Sequence, residues 1–178
     1  MADFSVIFAG FGGQGVLFMG KVTAYTGLAG GKQVTWMPSY GPEMRGGTAN
    51  CSVCISDAPV GSPIINEADA LVAMSIPSYD KFIGTVKPGG LVVYDSSIFQ
   101  PEKPRSDVKT FPLPASQLAR EENLDGIAGM ILLGKMLGET GIADISAIEA
   151  ALKKSVSQSK TQMIEHNLRA IKLGMRQR

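Results

Sequence analysis

The sequence predicts an α/β domain on a mostly parallel central sheet, closed by a helical C-terminal region. Three observations lead there. Phe4 to Ala9 is a short apolar run that ends in Gly10-Phe-Gly-Gly-Gln-Gly15 and passes into an apolar stretch of helical spacing, Gly15 to Leu28. Short runs of strand length then alternate with helical stretches, as parallel sheets with crossover helices require. From Leu124 to the end the periodicity is helical alone. The arrangement is Rossmann-like, and 178 residues without an internal repeat make one domain with a substantial core.

In a strand-turn-helix unit, Gly10 lets the chain turn sharply, Gly12 leaves room for a ligand and Gly15 lets the helix pack on the strand. The unpaired N–H groups at the start of that helix offer an anion site. The spacing fits the GxGxxG fingerprint, yet a tight turn that binds nothing has the same spacing, so both readings stand. The nicotinamide version requires an acidic residue roughly 20 positions downstream, at the end of the second strand. That strand, Gln33 to Met37, ends in Trp36, Met37 and Pro38, and the first carboxylate beyond is Glu43. A nicotinamide dinucleotide is therefore not expected.

Gly30-Gly31 ends the first helix. Pro38-Ser-Tyr-Gly-Pro-Glu-Met-Arg-Gly-Gly47 is too rich in glycine and proline for a regular element and reads as an irregular loop at the carboxyl end of the second strand. Within it Arg45 offers a planar fork to a phosphate or carboxylate, Tyr40 stacks or hydrogen-bonds, and Glu43 holds Arg45 or a partner's base. An internal Glu43 to Arg45 pair that only shapes the loop is the plainer alternative. Thr48 to Ser56 alternates as a strand, so Cys51 and Cys54, at C-x-x-C spacing, point to opposite faces. This favours structural cysteines over metal or redox chemistry, and two thiols cannot house an iron-sulfur cluster, which normally takes four.

Asp57 to Pro63 is turn-rich, with room for a short hairpin return. Ala70 to Met74 reads as a central strand, Pro77 to Val86 as a short amphipathic helix broken by Lys87-Pro-Gly-Gly90, and Leu91 to Tyr94 as another strand. Asp95, just past its end, reads as a turn or cap residue rather than a ligand contact. Val108 to Leu113 is a further strand and Ala115 to Glu121 a short helix. Leu124 to Leu137 is apolar around most of its circumference, so it is expected to be buried. Gly126, Gly129 and Gly134 interrupt it at about 1 kcal/mol each, which predicts close packing on another backbone, of this chain or another. Asp144 caps an amphipathic helix, and a last helix spans Thr161 to Met175. His166, the only histidine, lies off its apolar stripe, and no nearby carboxylate or nucleophile completes a catalytic constellation with it, so a solvated or cap-type role is expected.

Seventeen basic against sixteen acidic residues give no sign of a nucleic-acid or anionic-membrane partner. No apolar run reaches the roughly 20 residues that span a bilayer. The N-terminus lacks a basic stretch before an apolar one of signal type. A soluble, cytoplasmic protein is the expectation.

Phe8-Ala-Gly-Phe-Gly-Gly-Gln-Gly15, joined to Tyr40-Gly-Pro-Glu-Met-Arg-Gly-Gly-Thr-Ala-Asn50 and Ile55-Ser-Asp57, resembles the gamma subunit of 2-oxoacid:ferredoxin oxidoreductases. Ser62-Pro63, Asn123 and Asn167-Leu-Arg-Ala-Ile-Lys-Leu-Gly174 extend the resemblance over nearly the whole chain. It implies a three-layer α/β domain in a complex that oxidatively decarboxylates a 2-oxoacid with coenzyme A and reduces ferredoxin. It also implies alpha and beta partner chains carrying thiamine diphosphate and an iron-sulfur cluster, and, where present, a ferredoxin-like delta chain with further clusters. No Gly-Asp-Gly motif of the thiamine-binding type occurs here, which agrees. By the same resemblance Gly10, Gly12, Gly13, Gln14 and Gly15 form one loop and Tyr40, Gly41, Glu43, Arg45, Gly46 and Gly47 a second. The two are expected to meet and to help hold the phosphates or pantetheine arm of coenzyme A, with no catalytic or metal-binding residue among them. The alternatives are a purely structural gamma chain with an empty turn and a free-standing nucleotide-binding enzyme. The resemblance does not identify the 2-oxoacid, although it leans to 2-oxoglutarate and branched-chain oxoacids over pyruvate. An obligate interface would leave an apolar patch on the lone chain, and self-association of the isolated chain would follow.

Overall fold

A computed structural model describes residues 4–40, 48–156 and 161–177. Six strands form one sheet: β1 (Phe4–Phe11), β2 (Gln33–Tyr40), β3 (Thr48–Ser56), β4 (Ala68–Ala73), β5 (Val86–Asp95) and β6 (Lys109–Leu113). Its order is β2-β3-β1-β4-β5-β6. Strands β1, β4, β5 and β6 run parallel, whereas β3 is antiparallel to both β1 and β2. The helices are α1 (Val16–Ala29), α2 (Ile76–Phe82), α3 (Ala115–Glu121), α4 (Ala128–Thr140), α5 (Ile145–Ser155) and α6 (Thr161–Arg176).

The alternation of side chains along each strand builds two cores. Val6, Phe8, Cys51, Val53, Val72 and Val93 face α1 and the C-terminal helices. Ile7, Ala9, Leu71, Val92 and Tyr94 face the opposite way, toward Tyr79 of α2 and Phe99. This is the expected three-layer arrangement. Helix α4 is buried from Gly129 through Leu137, as its all-round apolar character predicts. The backbone its glycines approach belongs to the same chain: a Cβ on Gly134 would overlap the Ile171 carbonyl of α6, and one on Gly174 the Ile131 carbonyl of α4. Lys135, also buried, bonds Glu139 Oε1 at 2.6 Å and the Gln177 carbonyl at 2.8 Å, tying the end of the chain to α4.

Several expectations need correction. The irregular loop was expected from Pro38, but β2 runs on to Tyr40, with Pro38 opposite Cys51. Proline is tolerated because β2 is an edge strand. Strand β3 is inserted between β1 and β2, so the two strands that flank α1 are not neighbours in the sheet. Segment 57–67 forms no hairpin. Ser56 and Ser62 hydroxyls accept the N–H groups of Ala58 and Ile64 and turn the chain locally. Lys87 to Gly90 belongs to β5, which starts at Val86 and absorbs the glycines as a register shift, with Gly89 at φ 76°. Helix α4 starts at Ala128 rather than Leu124, because Gly126 takes φ 80°. Among the described residues no helix is long and apolar enough to cross a membrane.

Cys51 packs under α1, its thiol donating to the Val16 carbonyl at 3.4 Å, and burial pushes that thiol up to about 12. Cys54, half-buried, lies on the other face of β3, so the two do not converge.

Candidate functional site

The chain leaves β1 for α1 on one face of the sheet and leaves β4 for α2 on the other, so the neighbouring carboxyl ends of β1 and β4 flank the switch point of an open sheet. Gly12 to Gly15 sit at this edge. Gly13 and Gly15 adopt φ 95° and 77°, and a Cβ on either would meet nothing within 4 Å, so glycine is there for its backbone conformation. Gly15 is the N-cap of α1, which has no side-chain cap and no acidic residue in its first turn. Its first N–H groups are left to solvent or to a ligand.

Gln14 does something the glycine pattern does not reveal. Its Nε2 donates to the Met74 carbonyl at 3.2 Å and its Oε1 accepts the Phe11 N–H at 2.6 Å, bracing the turn against the end of β4. Gly10 is therefore not the sharp turn expected: it lies within β1 opposite Ala49, and a Cβ there would stand 2.6 Å from Gln14 Oε1. Gly15, likewise, sets the helix cap instead of admitting close packing.

Tyr40 pairs with Ala49, which pairs with Gly10, and Thr48 pairs with Phe11. The connection from β2 to β3 thus leaves the sheet at the edge that carries the glycine turn. Gly41, Glu43, Arg45, Gly46 and Gly47 of the second loop lie outside the described residues.

The turn between α3 and α4 was missed by sequence reasoning. Asn123 at φ 55° and Gly126 at φ 80° swing it across the start of α1, and a Cβ on Gly129 would lie 3.2 Å from the Gln14 carbonyl. The signal was Asn-Leu-Asp-Gly, two residues tolerant of the left-handed region within four. Helix α4 also starts without a side-chain cap or an acidic residue in its first turn. A cavity of about 300 Å³ opens between Gln14, Met74, Ser116, Arg120 and this turn. Arg120 is exposed there with no ion pair among the described residues. A second of about 310 Å³ runs along Gly12 to Phe18 beside Ala49. Asp95, fully buried, accepts from Ser97 Oγ at 2.6 Å and Ser116 Oγ at 2.5 Å, fixing α3 to β5 as a turn residue would. His166 is exposed on α6.

The fold and this edge define an open α/β domain whose carboxyl edge carries a crevice framed by two uncapped helix starts. Residues 5–177 match the family model described as pyruvate ferredoxin/flavodoxin oxidoreductase, and the chain belongs to that family. It is 40% identical over 168 residues to the ketoisovalerate oxidoreductase subunit VorA of Methanothermobacter marburgensis, covering 93% of this chain but 34% of that one. The chain therefore spans about a third of that curated relative. It is 34% identical over 169 residues to the 2-oxoglutarate synthase subunit KorC of Methanocaldococcus jannaschii, covering 93% of this chain and 89% of that one. The keto/oxoacid ferredoxin oxidoreductase gamma subunit of Geobacter sulfurreducens superposes with TM-score 0.82 at 28% identity, over 98% of this chain and 95% of that one. The 2-oxoglutarate:ferredoxin oxidoreductase of Magnetococcus marinus, with 2-oxoglutarate, coenzyme A and succinyl-CoA bound, superposes with TM-score 0.85 at 25% identity, over 98% of this chain and 30% of that one.

Proposed function

We propose that this chain is a gamma-type subunit of a cytoplasmic 2-oxoacid:ferredoxin oxidoreductase, and that its carboxyl-edge crevice receives coenzyme A. The complex would convert a 2-oxoacid, coenzyme A and oxidised ferredoxin to acyl-CoA, carbon dioxide and reduced ferredoxin. The observation that carries the reading is the meeting of two uncapped helix starts and the exposed Arg120 at one crevice of a chain of this family. Thiamine diphosphate and iron-sulfur clusters are assigned to the alpha and beta chains, and further clusters to a delta chain where one is present. The donor set here supports that assignment, since Cys51 and Cys54 lie on opposite faces of β3 and Cys51 is sealed beneath α1. The chain's own part is to bind and orient: helix N–H groups and arginines hold phosphate oxygens, and the glycine turn admits the ligand close to the backbone.

Anaerobic affinity purification of the chain from its own cells tests the assembly. Larger chains carrying iron, sulfide and thiamine diphosphate are expected to co-purify. Elution of the chain alone, under conditions that keep other complexes intact, would overturn it.

One observation favours a purely structural gamma chain: Gln14 already fills the glycine turn and occupies the Phe11 N–H. Arg45→Ala in the intact complex separates the two. A rise of roughly tenfold in KM for coenzyme A, as loss of a charged hydrogen bond gives, supports the ligand role. Unchanged kinetics supports scaffolding.

A further inference from the structure

The sheet ends in two edge strands, β2 on one side and β6 on the other. β6 is guarded as soluble proteins guard an edge: it is five residues long, begins with the exposed Lys109 and contains Pro112. β2 is eight residues long, carries no charged side chain and pairs with β3 in one unbroken register. Trp36, the only tryptophan, stands 40% exposed in it. Among the described residues no strand pairs with its outer side.

The hydrogen-bond phase of the sheet fixes which amides of β2 point outward. In β1 the Ser5 N–H reaches Asp69 Oδ2 at 2.7 Å and the Ala9 carbonyl accepts the Met74 N–H at 2.9 Å. The odd-numbered residues of β1 therefore turn toward β4 and the even-numbered ones toward β3. Phe8 is opposite Cys51, so Cys51 turns to β1, and its neighbours Ser52 and Cys54 turn to β2. Their partners Met37 and Thr35 turn back to β3, which leaves Val34, Trp36 and Pro38 facing outward. Proline thus holds an outward position, where its missing N–H costs no ladder bond. In β6 the Leu113 carbonyl accepts the Ser96 N–H, so Thr110 and Pro112 face outward and offer a single N–H.

The outward row of β2 complements itself. With a second copy laid antiparallel about a two-fold axis at Thr35, Val34 stands opposite Trp36 of the second copy, and the N–H and carbonyl of each meet the other's. Lys32 then faces Pro38 of the second copy. The Lys32 N–H is already bonded to the Gly27 carbonyl at 3.0 Å and proline has none, so the ladder stops there with no N–H left over. An axis at Trp36 would instead set the Val34 carbonyl against the proline ring. On the α1 face, where Val34 and Trp36 lie beside Gly27 and Gly20, the exposed indole closes on the neighbouring valine. No like charges meet across the seam, since the strand has none.

We propose that β2 is the seam of a two-fold dimer, pairing antiparallel with β2 of a second copy about Thr35, so that one sheet runs through both. β2 runs parallel to β1, so the two carboxyl edges of the dimer point in opposite directions and both crevices stay open. The inference is independent of what the crevice binds.

The test is sedimentation of the 178-residue chain over a dilution series, with Trp36 emission as a second readout. Wild type is expected to sediment as a dimer that dissociates on dilution, its emission moving to the red as the indole meets water. In the proposed register Gln33 stands opposite Met37 of the second copy. Gln33→Glu with Met37→Glu sets like charges across the seam and is expected to weaken dimerisation roughly tenfold. Gln33→Lys with Met37→Glu sets opposite charges and should associate at least as tightly as wild type. A wild type that stays monomeric throughout, or double variants that associate equally, would overturn the inference. Should a variant not fold, amide exchange on wild type decides: the Val34 and Trp36 N–H groups should be protected in the dimer and exchange on dilution, while Thr35 and Met37 stay protected. Free exchange of Val34 and Trp36 in a dimer places the seam elsewhere. Their protection only in a complex with other chains gives the edge to another subunit, and the inference falls in either case.

Discussion

The two edges of the sheet invite comparison. At the amino edge, a cavity of about 570 Å³ lies beside Phe4, Gly27, Ile55 and Ile142, larger than the cavities of about 300, 130 and 310 Å³ at the carboxyl edge. Yet its polar rim is already paired. Lys32 holds Asp57, Lys87 holds Asp69, Asp69 accepts the Ser5 N–H at 2.7 Å, and Asp144 accepts the Ala147 N–H at 2.8 Å to cap α5. At the carboxyl edge two helices start uncapped and, among the described residues, Arg120 has no ion pair and Asn167 Oδ1 no hydrogen-bond partner. Volume alone would choose the amino edge. Unmet hydrogen-bonding capacity chooses the carboxyl edge, and capacity is the better guide, since an unpaired buried polar group costs about 1–3 kcal/mol unless something arrives to meet it.

The comparison breaks most severely if the support beneath the carboxyl edge is removed. Helices α4 and α6 cross with backbones nearly in contact at Gly134 and Gly174, which sets the gap between the start of α4 and Asn167. Gly134→Val forces them apart and is expected to cost about 3 kcal/mol, read as a lower denaturant midpoint at unchanged slope. A stability equal to wild type would mean that the crossing does not hold this gap. Gly13→Val is the subtler break. No neighbour obstructs the new side chain, but φ 95° does, so about 1–2 kcal/mol of strain is expected together with weaker coenzyme A binding. Full stability with full binding would detach the glycine turn from the site.

The antiparallel insertion of β3 explains how far the sequence could be read. Element types were legible because periodicity is local: Thr48 to Ser56 alternates, and Met130 to Leu137 is apolar on all sides but for Lys135. Strand order was not. Strand β3 pairs antiparallel with β2 and stands between it and β1, and nothing in the spacing reports that. Half of the site was legible for the same reason. The turn at Gly12 to Gly15 is a contiguous motif, whereas Arg120, Gly126 and Asn167 meet the two cavities beside it only through the packing of α3, α4 and α6. Gln14 was read as part of a ligand loop, and its inward bonds to Phe11 and Met74 depend on β4, some sixty residues away.

The amino edge supplies the smallest expected effect and the control for the others. Asp144 caps α5, and the Ala147 N–H, then the Ser146 hydroxyl, hold its carboxyl below the ordinary carboxylate range. A group depressed in the folded state stabilises at pH above its unfolded value and loses that contribution as the pH falls through its folded value. Asp144→Ala should therefore lower the thermal midpoint by a few degrees at neutral pH. The gap from wild type should shrink as the pH drops below about 4, the ordinary carboxylate value. Because the charged side chains on this rim are matched within the chain, the same variant should bind coenzyme A as wild type does. A variant at Asp144 that keeps its stability but loses coenzyme A would reverse the assignment of the two edges.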